Sequence, residues 1–361
     1  MRKRYQMDDR NLLERLFNQK NDGPPLICVE MSGNHQGSLK SAIEFAKSAK
    51  EAGADLLKLQ VYTPETITLK SKLDDFQISS NEDWCEFGTL YDLYEKAHTP
   101  WEWVEELFHL SRQINLPVWA TPFDKTAVRL LEDLDCPFYK IASPEITDLP
   151  LIEACAQTGK PVVLSTGLAS KSDLDEATTI IKKCDVPYMI LKCVSAYPTP
   201  IDDMNLASIP WLRETYNCAV GLSDHTIGPE AAYAATALGA KMIEKHFRLP
   251  GDSVSVDASF SMPLDALEKL KNAIFAIHSS LGTATLEVPE CAKPSLKGRR
   301  SLYVVKNISA GERFTEDNVR SIRPSFGLEP KYLNEILGRR ATKDILAGER
   351  MSWDLIKERD I

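Results

Sequence analysis

Short apolar segments alternate with amphipathic segments at nearly even spacing between residues 26 and 282. Most of the short segments are apolar at consecutive positions, as strands buried on both faces of a parallel sheet must be. The segments between them carry apolar residues at helical spacing, as amphipathic helices do. The candidate strands are residues 26–31, 56–62, 117–121, 138–143, 161–166, 187–193, 218–223 and 241–247.

Eight strand–helix units in about 260 residues predict an α/β fold, a closed (β/α)8 TIM barrel. A doubly wound open sheet is the alternative, but its usual GxGxxG fingerprint is absent from the sequence. We place the barrel over residues 25–285, after an N-terminal extension of residues 1–24. The extension has basic and then acidic residues without a continuous apolar region, so we expect no signal peptide there.

The pattern changes after the barrel. Residues 286–298 carry two prolines and no helical period, and we interpret them as a linker. Residues 299–361 contain two Ile-x-Ala-Gly-Glu-Arg repeats, at 308–313 and 345–350, which mark turns between short strands. This pattern predicts a small β-rich domain with strands at 301–308, 311–315, 319–325, 340–345 and 348–351.

Composition narrows the choice of partners. An apolar content of 43% and a charged content of 26% are ordinary for a soluble globular protein. A net charge of −9 argues against nucleic acid or an anionic membrane as the main partner, and leaves small molecules. The eight cysteines form no CxxC pair, which favours reduced, buried thiols in a cytoplasmic protein.

Polar residues occur at the carboxyl ends of all eight predicted strands, which is where TIM barrels carry their chemistry. A single lysine or serine at such a place is usually solvated or bonded to a loop. Burying both Lys58 and Lys140 inside strands, however, costs several kcal/mol without an anionic partner. With serine and threonine hydroxyls around them, these two lysines predict a site for a phosphate or a carboxylate.

Two of the six histidines end the adjacent strands 7 and 8. His225 and His246 therefore project from neighbouring strand ends and are suited to a catalytic divalent metal. The spacing leaves Mn2+, Mg2+, Co2+ and Zn2+ open. Glu30, on the strand that closes the barrel against strand 8, is placed to aid the metal or to act as a base. His35 follows in the first loop and stays ambiguous.

The residues alone also allow two other functions. An aldolase could form a Schiff base through Lys58 or Lys140. A non-enzymatic carbohydrate-binding protein could use the small C-terminal domain to recognise a glycan. Both alternatives leave the combination of a metal site and an anion site unexplained.

Several longer motifs resemble the sialic acid synthase family. They are "SGNHQGSLKSAIEFAKSAKEAGADLLKLQVYTPETITL", "YKIASPEITDLPLI", "LSTGLAS", "YPTP", "GLSDHTIG" and "IEKHF". The tail "GRRSLYVVKNISAGE" is similar to the antifreeze-like (SAF) domain of that family. The resemblance implies a TIM barrel that condenses phosphoenolpyruvate with an N-acylated amino sugar, and a domain-swapped homodimer in which each SAF domain serves the partner.

The resemblance also assigns roles to residues. It implies metal binding by His225 and His246, and acidic groups near the reacting centre at Glu30 and Glu145. It implies phosphoenolpyruvate binding by Lys58, Thr121, Lys140, Ser143, Ser165, Ser195 and Ser223. We expect the sugar to contact Gln60, Tyr62, Tyr197, Asp257 and, from the partner's SAF domain, Arg323, with Arg300 as the alternative arginine.

Within the family, "LYDLYEKAHTPWEW" and "VRSIRPSFGLEPKYLNEILGRRATKDI" resemble the branch that makes pseudaminic acid. Ser195 stands in "KCVSAYPTP" where the N-acetylneuraminate branch typically has Asn. The resemblance therefore implies a 2,4-diacetamido-2,4,6-trideoxyhexose as acceptor and a nine-carbon 2-keto sugar acid as product. Phosphate would leave by C–O cleavage, with a metal (Mn2+, Mg2+ or Co2+) activating the aldehyde. The legionaminic and N-acetylneuraminic branches remain the alternatives.

Overall fold

A computed structural model describes residues 9–80 and 84–358. Residues 1–8, the first part of the predicted N-terminal extension, lie outside this description. The chain divides into two units, Met1–Gly282 and Thr283–Ile361, each with its own hydrophobic core.

The first unit is a closed barrel of eight parallel strands, so the predicted TIM barrel is confirmed. Each strand pairs with the next along the chain, and β1 pairs with β8 through five residue pairs to close the barrel. A short ninth strand of two residues pairs in parallel with the end of the eighth. The strands are β1 Leu26–Glu30, β2 Leu56–Val61, β3 Val118–Pro122, β4 Tyr139–Ile141, β5 Val162–Ser165, β6 Tyr188–Lys192, β7 Ala219–Asp224, β8 Met242–Arg248 and β9 Met262–Pro263.

Helices surround the barrel and begin and end where the sequence offers caps. Asp124 and Ser170 accept hydrogen bonds from the first turns of α6 and α8, and Gly53 ends α2 in the left-handed region at φ 97°. The α-helices of this unit are α1 Asp9–Phe17, α2 Leu39–Ala52, α3 Pro64–Ile67, α4 Leu90–Ala97, α5 Trp101–Ile114, α6 Lys125–Asp133, α7 Leu149–Gln157, α8 Lys171–Lys183, α9 Ser208–Tyr216, α10 Glu230–Ala237 and α11 Leu267–Leu281. Its 3-10 turns are Asp74–Phe76, Cys85–Phe87, Pro144–Thr147, Ile201–Asp203 and Leu264–Ala266.

Helix α1 packs across the amino ends of the strands. Leu12 and Leu16 are fully buried in the barrel core, and the ring of Phe17 meets that of Phe138 just before β4. Lys241, just before β8, donates to the carbonyl of Asn21 in the segment that follows the helix. The helix therefore covers the face of the barrel opposite the strand ends that carry polar residues.

The second unit has fewer regular strands than its sequence predicts. Strands β10 Ser301–Val304 and β11 Val319–Ile322 pair antiparallel, and α12 spans Leu333–Ile336. The predicted strands at 311–315, 340–345 and 348–351 are absent and form only isolated bridges. The predicted linker contains the 3-10 helix Glu290–Gly298, and further 3-10 turns lie at Pro330–Tyr332 and Trp353–Leu355.

The reason for the shorter strands is the density of turns. Gly311, Gly338 and Gly348 all have positive φ, so the chain reverses before a ladder can extend. Leu302, Val304, Phe314, Val319 and Ile336 lie in the core of this unit, together with Ile308, Ala341, Ile345, Met351, Leu355 and Ile356. None of the helices in the described part of the chain combines the length and hydropathy that crossing a bilayer requires.

Candidate active site

The carboxyl ends of the strands turn a layer of charged side chains into the barrel. Alternation along β8 directs Glu244 and His246 to the same side, two residues apart. Register places Glu30 opposite His246 on one side of β8, and Ser223 opposite Glu244 on the other. Lys58 lies opposite Glu30 on β2. Adjacent strands therefore bring carboxylate, ammonium and imidazole groups to one level of the barrel.

Glu244 is the centre of a buried ion cluster. Its carboxylate lies 2.8 Å and 3.0 Å from Lys140 Nζ, and its Oε1 lies 3.4 Å from Lys58 Nζ. Lys58 Nζ also lies 2.5 Å from Glu30 Oε2. Ser223 donates a hydrogen bond to Glu244 Oε1 at 3.1 Å. All four charged side chains are at least 95% buried, so each charge depends on its partners for stabilisation.

The charges of this cluster give its two carboxylates, Glu244 and Glu30, different pKa values. Burial raises the pKa of Glu244, but the nearby Lys140 and Lys58 hold it well below its usual range. Burial likewise raises the pKa of Glu30, and Lys58 only partly offsets this, so the pKa of Glu30 lies above its ordinary value. Burial lowers the pKa of Lys58, yet Glu244 and Glu30 raise it overall. The site thus contains a protonated lysine, an ionised Glu244 and a more basic Glu30.

Hydroxyl groups complete the anion site above the lysines. Lys58 Nζ donates to Thr121 Oγ1 at 3.3 Å, and the backbone N–H of Gly167 donates to Ser143 Oγ at 3.0 Å. A Cβ added at Gly167 would lie 2.2 Å from Ser195 Oγ and 2.6 Å from Ser143 Oγ. The buried hydroxyl of Ser165 has no hydrogen-bond partner. Glycine at position 167 therefore leaves room for the hydroxyls of Ser143 and Ser195, which form a polar cradle beside the Gly167 N–H.

The two imidazoles at the ends of β7 and β8 face each other with their ring centroids 5.3 Å apart. His225 donates from Nδ1 to the carbonyl of Val194 at 2.8 Å, which leaves Nε2 as its free donor atom for a cation. His246 Nδ1 is buried, has no hydrogen-bond partner among the described residues, and lies 3.8 Å from Asp257 Oδ2. Burial, followed by the charge of His225, lowers the pKa of His246 well below its usual range.

These donors fit a divalent cation. A neutral imidazole with an orphaned buried nitrogen beside a carboxylate is a good ligand set for Mn2+, Co2+ or Zn2+. Within residues 9–80 and 84–358, no three His, Cys, Asp or Glu side chains are grouped as a complete metal site. The metal role of the two histidines, His225 and His246, therefore stays a prediction.

A cavity of about 420 Å³ opens beside the imidazoles. Glu145 contributes a buried Oε2 that has no hydrogen-bond partner, and burial raises its pKa to about 7. Tyr197 stacks at 4.4 Å, between ring centroids, on His225. The polar lining consists of Ser32, Gln60, Tyr62, Tyr94, Glu145, Tyr197, His246 and Asp257, and the apolar lining includes Ile67, Trp84, Leu93, Phe123, Val256 and Phe260. Its size and mixed lining suit a small polar ligand with apolar substituents.

Comparison with known proteins assigns this architecture. A model of the NeuB family matches residues 45–285, and a model of the SAF domain matches residues 299–357. The chain belongs to the NeuB family. The resemblance to sialic acid synthases that the motifs indicate is thereby confirmed, as is the pairing of a TIM barrel with an SAF domain.

Relatives of this NeuB-family chain match it over nearly their whole length. It is 44% identical over 339 residues to the pseudaminic acid synthase of Helicobacter pylori, covering 92% of this chain and 98% of that one. It is 42% identical over 344 residues to the pseudaminic acid synthase of Campylobacter jejuni subsp. jejuni serotype O:23/36, covering 95% and 98%. The crystal structure of N-acetylneuraminic acid (sialic acid) synthetase from Leptospira borgpetersenii serovar Hardjo-bovis in complex with citrate superposes with a TM-score of 0.68. Identity with that structure is 30%, covering 76% of this chain and 91% of that one.

The barrel of the NeuB-family chain brings most of the residues singled out in the sequence to one mouth. The exceptions are Arg323 and Arg300, which lie in the second unit. Arg323 is exposed, and Arg300 donates to the carbonyl of Ser321 at 2.9 Å. The role of either arginine in a partner's site stays a prediction. His35 is buried and bonded to the carbonyl of Ala97 and the N–H of Gly37, which assigns it to the loop rather than to the site.

Sequence reasoning on this NeuB-family chain missed two residues of the site. Glu244 joins both lysines, and the signal for it was its position two residues before His246 on the same face of β8. Cys193 Sγ lies 3.7 Å from Ser143 Oγ and 3.9 Å from His225 Nδ1. Burial opposes ionisation of this thiol, but the adjacent His225 lowers its pKa to about 7. Nothing in the sequence separated this cysteine from the other buried thiols.

Proposed function

We propose that this chain condenses phosphoenolpyruvate with a 2,4-diacetamido-2,4,6-trideoxyhexose to give pseudaminic acid and phosphate. The observation that carries the proposal is the meeting of two buried lysines with two facing imidazoles at a single barrel mouth. The relatives at 44% and 42% identity are pseudaminic acid synthases, and they indicate the branch of the family. Family membership and site chemistry thus point to one reaction class.

The lysine cluster is the proposed phosphoenolpyruvate site. Lys58 and Lys140 supply two positive charges inside the barrel, where charge-assisted hydrogen bonds to an anion are strong. Their present partner Glu244 balances only part of this charge, since Glu30 has a raised pKa. The cradle at Gly167 adds neutral donors from Ser143 and the backbone. We therefore place the anionic groups of the enol phosphate between the lysines and this cradle.

His225 and His246 would hold the divalent cation. When bound, that ion supplies electrophilic activation of the acceptor's aldehyde oxygen. The hydrogen bond from His225 Nδ1 to Val194 fixes the orientation of one imidazole, and the orphaned Nδ1 of His246 faces the site. Asp257 lies beside His246 and accepts from the N–H of Gly33 at 3.1 Å, which holds its carboxylate in place.

The barrel then orients the reactants for carbon–carbon bond formation. C3 of the enol attacks the aldehyde carbon, and the alkoxide that forms takes up a proton. A water molecule adds to C2 and gives up one proton, for which Glu30, with its raised pKa, is a candidate base. The C2 hydroxyl so formed then loses its remaining proton as phosphate leaves with the electron pair of the C2–O bond, which gives the 2-keto acid. The lysines stabilise the phosphate throughout, so the protein contributes mainly position and charge.

The acceptor sugar would occupy the cavity beside the imidazoles. Gln60, Tyr62, Tyr197 and Asp257 offer hydrogen bonds, and Glu145 offers a carboxyl whose pKa burial raises to about 7. The apolar part of the wall suits methyl and acetamido groups rather than additional hydroxyls. A sugar with a 6-deoxy carbon and two acetamido groups fits this balance.

The state of Lys58 argues against the aldolase alternative. A Schiff-base lysine needs a lowered pKa so that the amine is free, whereas the carboxylates of Glu244 and Glu30 raise the pKa of Lys58. A purely carbohydrate-binding role leaves the buried lysine pair without a use. Both rivals also predict no release of phosphate.

A substrate panel tests the proposal. Phosphoenolpyruvate is offered with epimeric 2,4-diacetamido-2,4,6-trideoxyhexoses and with N-acetylmannosamine, and the products are read by mass. We expect phosphate release only when sugar is present, and a keto-acid product mainly from a diacetamido sugar. Turnover of N-acetylmannosamine alone would overturn the assigned branch, and phosphate release without sugar would overturn the condensation.

A further inference from the structure

A buried lysine on the outer face of β8 ties the two histidine-bearing strands together. Alternation turns Glu244 and His246 to the barrel interior and Lys245 to the opposite face. Lys245 Nζ lies 2.9 Å from Asp224 Oδ2 on β7 and also donates to the backbone carbonyl of Thr226. Lys245 and Asp224 are each only 1% exposed. This ion pair is as deeply buried as the cluster inside the barrel, but none of the steps proposed above uses it.

Asp224 completes the arrangement with its second oxygen. Its Oδ1 accepts from the N–H of Thr226 at 2.9 Å and from the hydroxyl of Thr226 at 2.8 Å. We call Asp224, Thr226 and Lys245 the β7–β8 clamp. His225 lies between Asp224, the last residue of β7, and Thr226, and His246 directly follows Lys245. One ammonium group therefore connects the backbones that carry both imidazoles.

His225 lies just past the end of regular pairing. The β7–β8 ladder ends with Asp224 opposite Lys245, and β7 itself ends at Asp224. The carbonyl of His225 accepts from the N–H of Thr199 at 3.0 Å, and its ring donates to Val194. Both of these bonds lead toward the β6 side. The clamp supplies the tie toward β8, where His246 is located.

We propose that the β7–β8 clamp is a positioning device that sets the separation of the two imidazoles for a divalent cation. This inference rests on the metal site of the proposed function. Metal–nitrogen bonds tolerate only a few tenths of an ångström around roughly 2.0–2.1 Å, so backbone drift at His225 costs affinity. The clamp acts from behind the strands and leaves the coordination positions free. Loss of partners that orient metal ligands typically lowers metal affinity by about 10–100-fold.

The chain contains a matched control for this arrangement. Lys271 Nζ bridges the carboxylate of Asp55 at 2.7 Å and the carbonyl of Gly53 at 2.5 Å, the same pattern of one aspartate and one nearby backbone carbonyl. This second bridge lies at the amino end of β2, away from the imidazoles. The side chains of Lys271 and Asp55 are 39% and 18% exposed, so this bridge controls for the loss of a lysine–aspartate contact. The effect of burial is controlled by the double variant described below, and a change in cation binding should appear only at the clamp.

The test is a titration of the metal-free full chain with Co2+, followed by its visible absorption. We expect Lys245→Met to raise the Kd for Co2+ at least tenfold. Lys271→Met should leave this Kd within about twofold of the wild-type value. Lys245→Arg, which keeps a cation in the clamp, should recover part of the loss. Hydrogen–deuterium exchange of the peptide covering residues 222–228, without metal, should be faster in Lys245→Met alone.

A second variant covers the case in which Lys245→Met does not fold. The double variant Asp224→Leu/Lys245→Met replaces the ion pair by apolar groups, a change that buried pairs often tolerate. We expect it to fold but to bind Co2+ as weakly as the single variant. Wild-type Co2+ affinity in folded Lys245→Met or in the folded double variant would overturn the clamp while leaving the metal site intact. Wild-type Co2+ affinity in His246→Ala would overturn the metal site itself, and the clamp with it.

Discussion

At the scale of the residue, the buried carboxyl of Glu145 makes stability depend on pH. Burial raises its pKa from about 4.5 to about 7, so folding favours the protonated form. The stabilising contribution is complete below about pH 4.5 and is lost as the pH rises through about 7. The free energy of unfolding of the wild-type protein therefore falls between about pH 4.5 and pH 7 as Glu145 ionises. A glutamine at this position would not ionise.

We expect Glu145→Gln to match wild type near pH 5 and to exceed its free energy of unfolding by about 1–2 kcal/mol near pH 8. Urea denaturation at both pH values measures the difference. Glu153 on α7 is exposed, and Glu153→Gln is the control. It should change the free energy of unfolding by the same amount at pH 5 and at pH 8. A Glu145→Gln effect that is the same at both pH values would contradict the argument.

The second residue-scale prediction concerns Glu244. Glu244→Gln removes the carboxylate between Lys58 and Lys140, so that Lys140 loses its buried partner and Lys58 keeps only Glu30. Removing one partner from a buried ion cluster costs roughly 3–5 kcal/mol, so we expect a clear fall in Tm. Inorganic phosphate can replace the lost charge if the cluster is an anion site.

Thermal denaturation with and without phosphate checks this prediction. Added phosphate should raise the Tm of Glu244→Gln by more than it raises the Tm of wild type. Sodium chloride at equal ionic strength serves as the control for general salt effects. An equal shift in both proteins would argue that phosphate does not enter the space between the lysines.

At the scale of the element, substitutions at two glycines are expected to have different effects. A change at Gly167 should affect substrate binding, and a change at Gly221 should affect stability. An added Cβ at Gly167, just after β5, meets only the hydroxyls of Ser195 and Ser143 and the thiol of Cys193. An added Cβ at Gly221, inside β7, meets the backbone carbonyl of Met242 at 2.6 Å. Side-chain ends can rotate away, whereas backbone in a central strand cannot.

We expect Gly167→Ala to fold and to raise the KM for phosphoenolpyruvate at least tenfold, because the methyl group fills the cradle. Gly221→Ala should instead lose on the order of 1–3 kcal/mol of stability through overpacking. Gly298→Ala, which meets open space, is the neutral control. Circular dichroism and initial rates measured on the three variants distinguish these outcomes.

The barrel elements were predictable because the spacing of apolar residues along each element reflects which of its faces are buried. A strand buried on both faces must be apolar throughout, and all eight predicted strands lie within a few residues of those in the structure. The segment between β2 and α5 was not predicted. Its short turns depend on long-range contacts, such as the 2.6 Å hydrogen bond from Tyr91 to Glu65 and the packing of Tyr62 on Tyr94. Local patterns carry no record of such contacts.

The site was predictable to a similar degree. Position at a strand end identified Lys58, Lys140, His225 and His246 because barrel geometry gathers those ends. The position of a residue along a strand could not reveal the ion pairs, because it does not determine which charged side chain of another strand lies opposite. Glu244 was therefore recognised only when its distances to both lysines were known.

At the scale of the whole molecule, the second unit has its own core and an exposed Arg323. If that arginine completes the sugar site of another copy, as proposed for a domain-swapped homodimer, two defective chains should complement each other. Mixing His246→Ala with Arg323→Ala creates hybrid dimers in which one of the two sites has both groups intact. Statistical mixing should restore about a quarter of wild-type activity.

Refolding the two variants together, and each alone, supplies the measurement. Arg320→Ala, on the neighbouring strand β11, replaces Arg323→Ala in the control and should be active without a partner. Repeating the mixture with Arg300→Ala distinguishes the two candidate arginines. An inactive mixture of well-folded chains would show that Arg323 does not act across copies.

Helix α1 has a kinetic consequence. By closing the floor of the barrel with Leu12 and Leu16, it leaves the carboxyl-end mouth as the route through which reactants pass. Lys58 and Lys140 lie within β2 and β4, whereas most residues that line the cavity beside His246 follow the strand ends. A sugar seated first would therefore obstruct the enol phosphate. Steady-state kinetics should therefore follow compulsory-order addition, with phosphoenolpyruvate entering ahead of the sugar and the last product to leave competing with it alone.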